Sequence, residues 1–284
     1  MSPETIIPVL QTELDRADAQ ATVFSPFNIL SRMALGKWEV EACDGHLAFV
    51  SASDDSARVL PHGDKAMYWS ALIEWASLTK VVYAPEWIAM AAREKGFKVE
   101  KMTTEYIMDA ERMVTLPGGR LRNARYYAAR ARKHLTLVNV LPDDARQLAE
   151  LLEVNDAWYK EAKDRIWHPS EKALIVWLLE NWHTVKRIAP SANCVGAYDD
   201  FSGRLLSFEI GCRLSARYAA TFTQRSLRGC TKGIFAGTNL AVSGMLASKF
   251  GGQINDGPAE KQLIARKRAL SVGTLNFYSV ERKR

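Results

Sequence analysis

From Gly233 to Ser248 the chain runs sixteen residues without a charge, and this stretch constrains the fold more than any other. The apolar segment Ile234 to Phe250 has helical length, but the three glycines of the uncharged run, with Thr238, Asn239 and Ser243, make that run too short and too polar to span a bilayer. A β-prone stretch, Ala219 to Thr223, leads into it through Gln224, Arg225, Arg228, Gly229, Lys232 and Gly233. Glycines that turn tightly, basic side chains and a helix N-terminus with unpaired N–H groups make an anion site, and a solvated basic loop is the competing reading. Behind the helix, Gly251 and Gly252 read as its stop, and Gln253-Ile254 as a short strand delivering Asn255, Asp256 and Gly257 into a turn. Those two polar side chains suit either a helix cap or substrate contacts.

With 284 residues, 48% hydrophobic and 25% charged, the chain is long enough for two domains or two fused halves, each with a substantial core. The opening MSPETIIPVLQTELDR lacks a basic start and an apolar centre, so the expectation is a cytoplasmic protein with no signal peptide and no integral membrane segment. Cys43, Cys194, Cys212 and Cys230 never form C-x-x-C, and the five histidines show no H-x-x-x-H spacing, so reduced thiols and no structural metal are expected. Charge is more informative. Residues 1–110 carry 10 Lys and Arg against 16 Asp and Glu, whereas residues 111–284 carry 28 against 16, a net −6 followed by +12. A strongly positive second part calls for a polyanionic partner such as RNA, DNA, an acidic lipid surface or a nucleotide cofactor.

Periodicity sets helices and strands in alternation. Pro3 to Ala19 reads as a helix, Ser25-Pro26 opens another, and Trp38 to Ala42 with Leu47 to Ser51 read as a hairpin around Asp44-Gly45. Asp64 to Leu78 is a helix, Lys80 to Ala84 a buried strand, Pro85 to Lys95 a helix and Phe97 to Met102 a strand. A basic segment follows, with Arg120, Arg122, Arg125, Arg130, Arg132 and Lys133 among Tyr126 and Tyr127, and it reads as a helix from about Leu121. Basic charge interleaved with aromatics suits an RNA backbone and its bases, and equally a solvated face bridging two halves. Leu135 to Val140 is a strand, and long helices follow from Pro142 and over Ser170 to Ile188, with four tryptophans between 158 and 182. Val195 to Tyr198, Arg204 to Arg213 and Leu214 to Thr223 read as three antiparallel strands, and Thr274 to Val280 as the last strand. The second half thus runs helix, helix, three strands, helix, strand, helix, strand, and the first half is a looser version of that order.

This order resembles two copies of the Gcn5-related N-acetyltransferase fold, and three strings resemble the family of the phosphatidylglycerol lysyltransferase catalytic domain and its soluble relatives. EYIMDAERMVTLPGGRLRNARYYAAR is similar to one family segment, with Arg125 and Arg130 on its basic positions. TKGIFAGTN is similar to its strand-to-helix glycine turn, and INDGPAEKQLIARKRAL to a third segment, with Asn255, Gly257, Leu263 and Lys267 matching. Ile264, Tyr126 and Asp256 depart from the residues usual there. The resemblance implies an α+β, α/β-layered fold of two tandem acetyltransferase-like halves with mixed, largely antiparallel sheets. The expected halves are 1–116 and 135–284, joined by a basic helix at 117–134, with the active site in the second.

It further implies transfer of an aminoacyl group from a charged tRNA to an amine or hydroxyl, here of a soluble acceptor, a small molecule or a modified nucleic acid. Such a donor is already activated, so the protein mainly aligns the reactants, stabilises the oxyanion and accepts a proton. Asp256 is the candidate base or acceptor-orienting group beside Asn255, with Glu209 as the alternative base. Lys267, Arg225 and Arg228 are candidates for the donor phosphate or the oxyanion, with Lys232 and Gly233 completing the phosphate turn. Arg122, Arg125, Arg130 and Arg132 are candidates for the RNA backbone. No tightly bound cofactor is expected. An acetyl-CoA-dependent N-acetyltransferase is the rival, although QRSLRGCTKG does not fit the usual Q/R-x-x-G-x-G/A spacing. A non-catalytic nucleic-acid-binding module would need only the basic face.

Overall fold

The structure is a computed structural model that describes residues 13, 21–43, 46–161, 169–227, 234–258 and 264–283. A 3-10 turn, Thr22–Phe24, leads into α1 (Pro26–Ala34), where Ser25 accepts from the Asn28 N–H at 3.3 Å and Pro26 occupies the first turn. Then come β1 (Trp38–Cys43), β2 (His46–Ser51) and β3 (Ser56–Val59). Helix α2 (Lys65–Leu78) is capped by Asp64, which accepts from the N–H groups of Ala66 and Met67, and it leads to β4 (Lys80–Pro85). The short α3 (Glu86–Glu94) and the long β5 (Lys98–Asp109) complete this series.

A connecting region follows, made of α4 (Ala110–Thr115) and the basic α5 (Arg122–Ala131). Beyond it lie β6 (Leu135–Asn139), α6 (Ala145–Glu161), α7 (Pro169–Glu180) and α8 (Trp182–Ile188). The series then repeats as β7 (Asn193–Asp199), β8 (Leu205–Arg213), β9 (Tyr218–Ser226), α9 (Ile234–Phe250), β10 (Gln253–Pro258), α10 (Ile264–Leu270) and β11 (Ser271–Glu281). Gly251 and Gly252, both at φ +63°, end α9 in the left-handed conformation that spares a glycine its steric penalty.

Among the described residues the strands form one sheet in the order β1-β2-β3-β4-β11-β5-β10-β9-β8-β7-β6. Only β3/β4 and β9/β10 are parallel, and each of these pairs is joined by a crossover helix, α2 or α9. Each half is therefore three antiparallel strands, a helix, a parallel strand, a short helix and a long strand. The long strands are exchanged. β11, from the second half, lies between β4 and β5, while β5, from the first, lies between β11 and β10. The fold is α+β with two tandem Gcn5-related N-acetyltransferase-like halves on a mixed, largely antiparallel sheet. Besides a cluster centred in each half, one hydrophobic cluster spans both: Phe27 of α1 stacks on Trp182 of α8 at 6.2 Å, in company with Phe49, Leu178 and Phe208.

Several elements differ from expectation. The helix foreseen over Ser170 to Ile188 is broken at Asn181, whose Nδ2 donates to the Trp177 carbonyl at 2.8 Å, a local bond that competes with helix continuation. β3 was not foreseen; it is four residues long and contains Arg58. β9 runs on to Ser226, so Gln224 and Arg225 lie on a strand and not in a basic turn. The expected helix over Pro3 to Ala19 and the Asp44-Gly45 turn lie outside the described residues, apart from Glu13.

Candidate active site

The parallel strands β9 and β10 pair from Tyr218/Gln253 to Ala220/Asn255 and then part. The parting is built into β10. Its register with β5 breaks between Asn255 and Pro258, Gly257 takes φ +65°, and the Asn255 Oδ1 accepts from the Gly257 N–H at 2.8 Å. This bulge turns out Asp256. Its Oδ1 accepts from the Thr221 hydroxyl at 2.8 Å, and its Oδ2 lies 3.0 Å from Lys267 Nζ. Asp256, Ser243, Arg266 and Lys267 form the polar side of a small, partly open cleft, whose apolar side includes Met113, Leu240 and Leu270.

Glu209 lies behind this cleft on β8 and is 2% exposed. Its Oε2 is 2.7 Å from the Ser243 hydroxyl and 2.9 Å from Gln224 Nε2. Gln224 Nε2 is also 2.9 Å from the Asn239 carbonyl, which ties β9 to α9. Burial, and then the Asp256 charge, push the Glu209 carboxyl up to about 8, while the Ser243 bond, Arg266 and Lys267 oppose the rise. A second buried carboxyl, Glu105 on β5, accepts from the Thr22 N–H at 3.0 Å, the Thr22 hydroxyl at 2.7 Å and Asn255 Nδ2 at 2.6 Å. Burial raises its pKa as well, and these bonds and the Lys267 charge pull the other way.

The structure thus gathers Asp256, Lys267 and Glu209 at one corner. Asn255 is adjacent but fully buried; with its amide bonded to Glu105 and Gly257 it shapes the bulge and does not face the cleft. Lys267, expected at the phosphate or oxyanion, has its donors taken by Asp256 Oδ2, the Asp256 carbonyl and the Pro258 carbonyl, so it clamps the bulge. Arg225, expected at the donor phosphate, is 5% exposed and points elsewhere. Its guanidinium bonds Glu171 Oε1 at 2.6 Å and lies 4.0 Å from the Trp158 ring centroid, which commits it to an ion pair on an aromatic wall. Arg228, Lys232 and Gly233 lie outside the described residues.

On α5, Arg122 and Arg130 are exposed, as is Arg132 just after it, with Tyr126 61% exposed beside them. Arg125 is half-buried and donates to the Leu116 and Gly118 carbonyls, bracing the turn before its own helix. This basic helix packs on α9 so tightly that a Cβ at Gly237 would meet the Tyr127 carbonyl oxygen at 2.1 Å. Among the described residues no cluster of His, Cys, Asp and Glu could hold a metal ion. Cys194 and Cys212 are buried and free, and burial raises both thiols, which keeps them from acting as thiolates.

Arg266, Ser243 and Thr221 were missed in the sequence. Asn239 and Ser243 stand one turn apart on an otherwise apolar helix, and that spacing could have singled out the polar face of α9. Arg266 hides in the run Arg266-Lys267-Arg268; among the described residues it has no hydrogen-bond or ion-pair partner.

A splayed parallel pair with a carboxylate at the split, in a sheet that carries the same strand arrangement twice, defines an acyltransferase-type scaffold. The chain belongs to the phosphatidylglycerol lysyltransferase C-terminal family, whose profile matches residues 42–215. No curated protein sequence matches it. Among solved structures it is similar to a conserved protein of unknown function from Bacteroides thetaiotaomicron, at 15% identity and TM-score 0.80 over 98% of this chain and 97% of that one. It is also similar to the C-terminal domain of a putative lysylphosphatidylglycerol synthetase from Agrobacterium fabrum, at 15% identity and TM-score 0.70 over 99% and 93%. L-PGS from Bacillus licheniformis gives 16% identity and TM-score 0.69 over 100% and 93%.

Proposed function

We propose that this protein moves an aminoacyl group from aminoacyl-tRNA to an amine or hydroxyl of a soluble acceptor, with chemistry at the split between β9 and β10. The observation that carries this reading is Asp256, a carboxylate held at the cleft wall by Thr221 and Lys267 and faced by Arg266. Family membership supports acyl transfer of this kind.

The acceptor nucleophile adds to the donor's ester carbonyl, the ester C–O bond breaks, and the terminal hydroxyl of the carrier leaves. Asp256 takes the proton from the attacking group and returns it to the departing oxygen, a role typically worth about 10²–10⁴ in rate. Glu209 lies behind the cleft wall at 2% exposure, with its carboxyl raised by burial and the Asp256 charge, so it anchors Ser243 and Gln224 and the proton transfer falls to Asp256. Arg266 has donors to spare for the oxyanion, a task taken from Lys267. The exposed Arg122, Arg130 and Arg132 grip the carrier's phosphates, with Tyr126 offered for stacking. No helix among the described residues is long and apolar enough to cross a membrane.

Asp256→Ala should lower kcat at least ~100-fold while changing donor affinity less than about threefold; a fully active variant removes Asp256 from the mechanism. Thermal stabilisation compared among charged tRNA, uncharged tRNA and coenzyme A identifies the donor. Stabilisation by coenzyme A alone overturns the tRNA assignment.

A further inference from the structure

The first half carries its own polar cluster at the equivalent split, and the transfer chemistry above makes no use of it. Arg32 of α1 and Arg58 of β3 both face the buried Trp38 ring, with guanidinium carbons 5.1 and 4.9 Å from its centroid. Half-buried arginines usually pair with a carboxylate. Here, among the described residues, neither forms an ion pair: Arg32 Nε reaches only Asn28 Oδ1 at 3.4 Å, and Arg58 donates to the Ser56 carbonyl and hydroxyl at 3.4 and 3.1 Å. Arg58 Nε is buried without a partner. Burial lowers both guanidinium pKa values, and Arg32 adds to the lowering at Arg58, while Tyr83 and Asp54, and at Arg32 also Glu171, act from beyond contact to oppose it.

Tyr83 completes the cluster and is held at a conformational cost. The β4/β11 register breaks between Val81 and Ala84 as the β10/β5 register breaks between Asn255 and Pro258, so Tyr83 takes the place that Gly257 takes in the second half. Both residues have positive φ, +62° for Tyr83 and +65° for Gly257. A tyrosine in that region costs on the order of 1–3 kcal/mol, and such residues concentrate at functional sites. Its ring packs on Phe277 at 5.9 Å, both arginines and Glu105 act on its phenol, and among the described residues its hydroxyl has no hydrogen-bond partner.

We propose that Arg32, Arg58 and the Tyr83 hydroxyl form an anion-binding subsite in the first half for the carboxylate or phosphate group of a small molecule. Guanidinium N–H groups and a phenol O–H are all donors, which is what an oxyanion needs and what a cation or neutral apolar ligand does not. This inference does not depend on the transfer reading, because binding alone tests it.

The probes are inorganic phosphate and acetate, each titrated against chloride at equal ionic strength and read as the unfolding temperature of the full chain. A rise of about 2–5 °C is expected at saturation for the anion that fits, which tells phosphate from carboxylate. Arg58→Met, which keeps the side-chain stem over Trp38, should weaken the anion's Kd at least ~10-fold, and Arg146→Met on the exposed face of α6 should leave it unchanged. If Arg58→Met does not fold, Tyr83→Phe, which keeps the ring, should weaken Kd about threefold or more. No shift with either anion, or a shift that survives these substitutions, overturns the proposal.

Discussion

Replacing Glu209 by Gln tests the electrostatics of the candidate site through stability, without requiring a substrate. In the folded protein burial and the Asp256 charge lift this carboxyl from the usual 4.5 to about 8. Unfolded, it ionises near 4.5, so between about pH 4.5 and 8 the folded state holds a proton that the unfolded state has released. Stability contributed by Glu209 is then complete below about pH 4.5, falls as pH rises through that window, and levels off above about 8. Each pH unit inside the window removes about 1.4 kcal/mol, for a total on the order of 5 kcal/mol. The glutamine of the variant does not titrate and keeps an acceptor for Ser243, so the variant lacks this loss. Urea unfolding of both proteins at about pH 6, 7, 8 and 9 should show the wild type losing about 2–3 kcal/mol relative to Glu209→Gln from pH 6 to 8, then little more. A difference that stays constant over that range would mean that Glu209 is already ionised, and would refute the upward shift.

Further expectations can be checked directly. Gly237→Ala places a methyl 2.1 Å from the Tyr127 carbonyl oxygen, so it should force α5 off α9 and cost about 1–3 kcal/mol in urea unfolding; an unchanged midpoint would contradict the close approach. Substituting Arg122, Arg130 and Arg132 together by Ala should weaken tRNA binding, and the slope of log affinity against log salt should fall by about 2–3; equal affinity and slope would remove α5 from donor binding. Deleting the chain from Ser271 onward leaves β4 and β5 without the strand between them and removes the buried Phe277 and Val280, about 3–6 kcal/mol of apolar burial. That approaches the whole stability of a domain, so the truncated chain should show no cooperative unfolding by circular dichroism.

The elements best foreseen in the sequence are those governed by local rules. The apolar run and glycine pair placed α9 and its end, Asp64 marked the start of α2, and the repeated order of strands and helices gave two acetyltransferase-like halves. What stayed hidden depends on contacts between residues distant in sequence. Nothing near Lys267 says that its ammonium will fold back on the carbonyls of Asp256 and Pro258, and nothing near Arg225 announces Trp158 and Glu171 as its partners. Nor can residue order alone reveal that β11 slips between β4 and β5, because a strand's pairing partner is chosen by the whole sheet. Asp256 was legible as a short polar side chain in a glycine turn; its orientation comes from a register break visible only once β10 lies beside β5.

The interchange of the two long strands bears on how the two halves can move. From Ser271 to Glu281 one ribbon is laced along β5, with Lys98 fastened to Glu281 at 2.7 Å near its far end, so the lobes cannot gape like a clam without tearing a ladder that crosses the molecule's midline. Drawing the two halves apart would therefore mean unzipping β11 from β5 along its length.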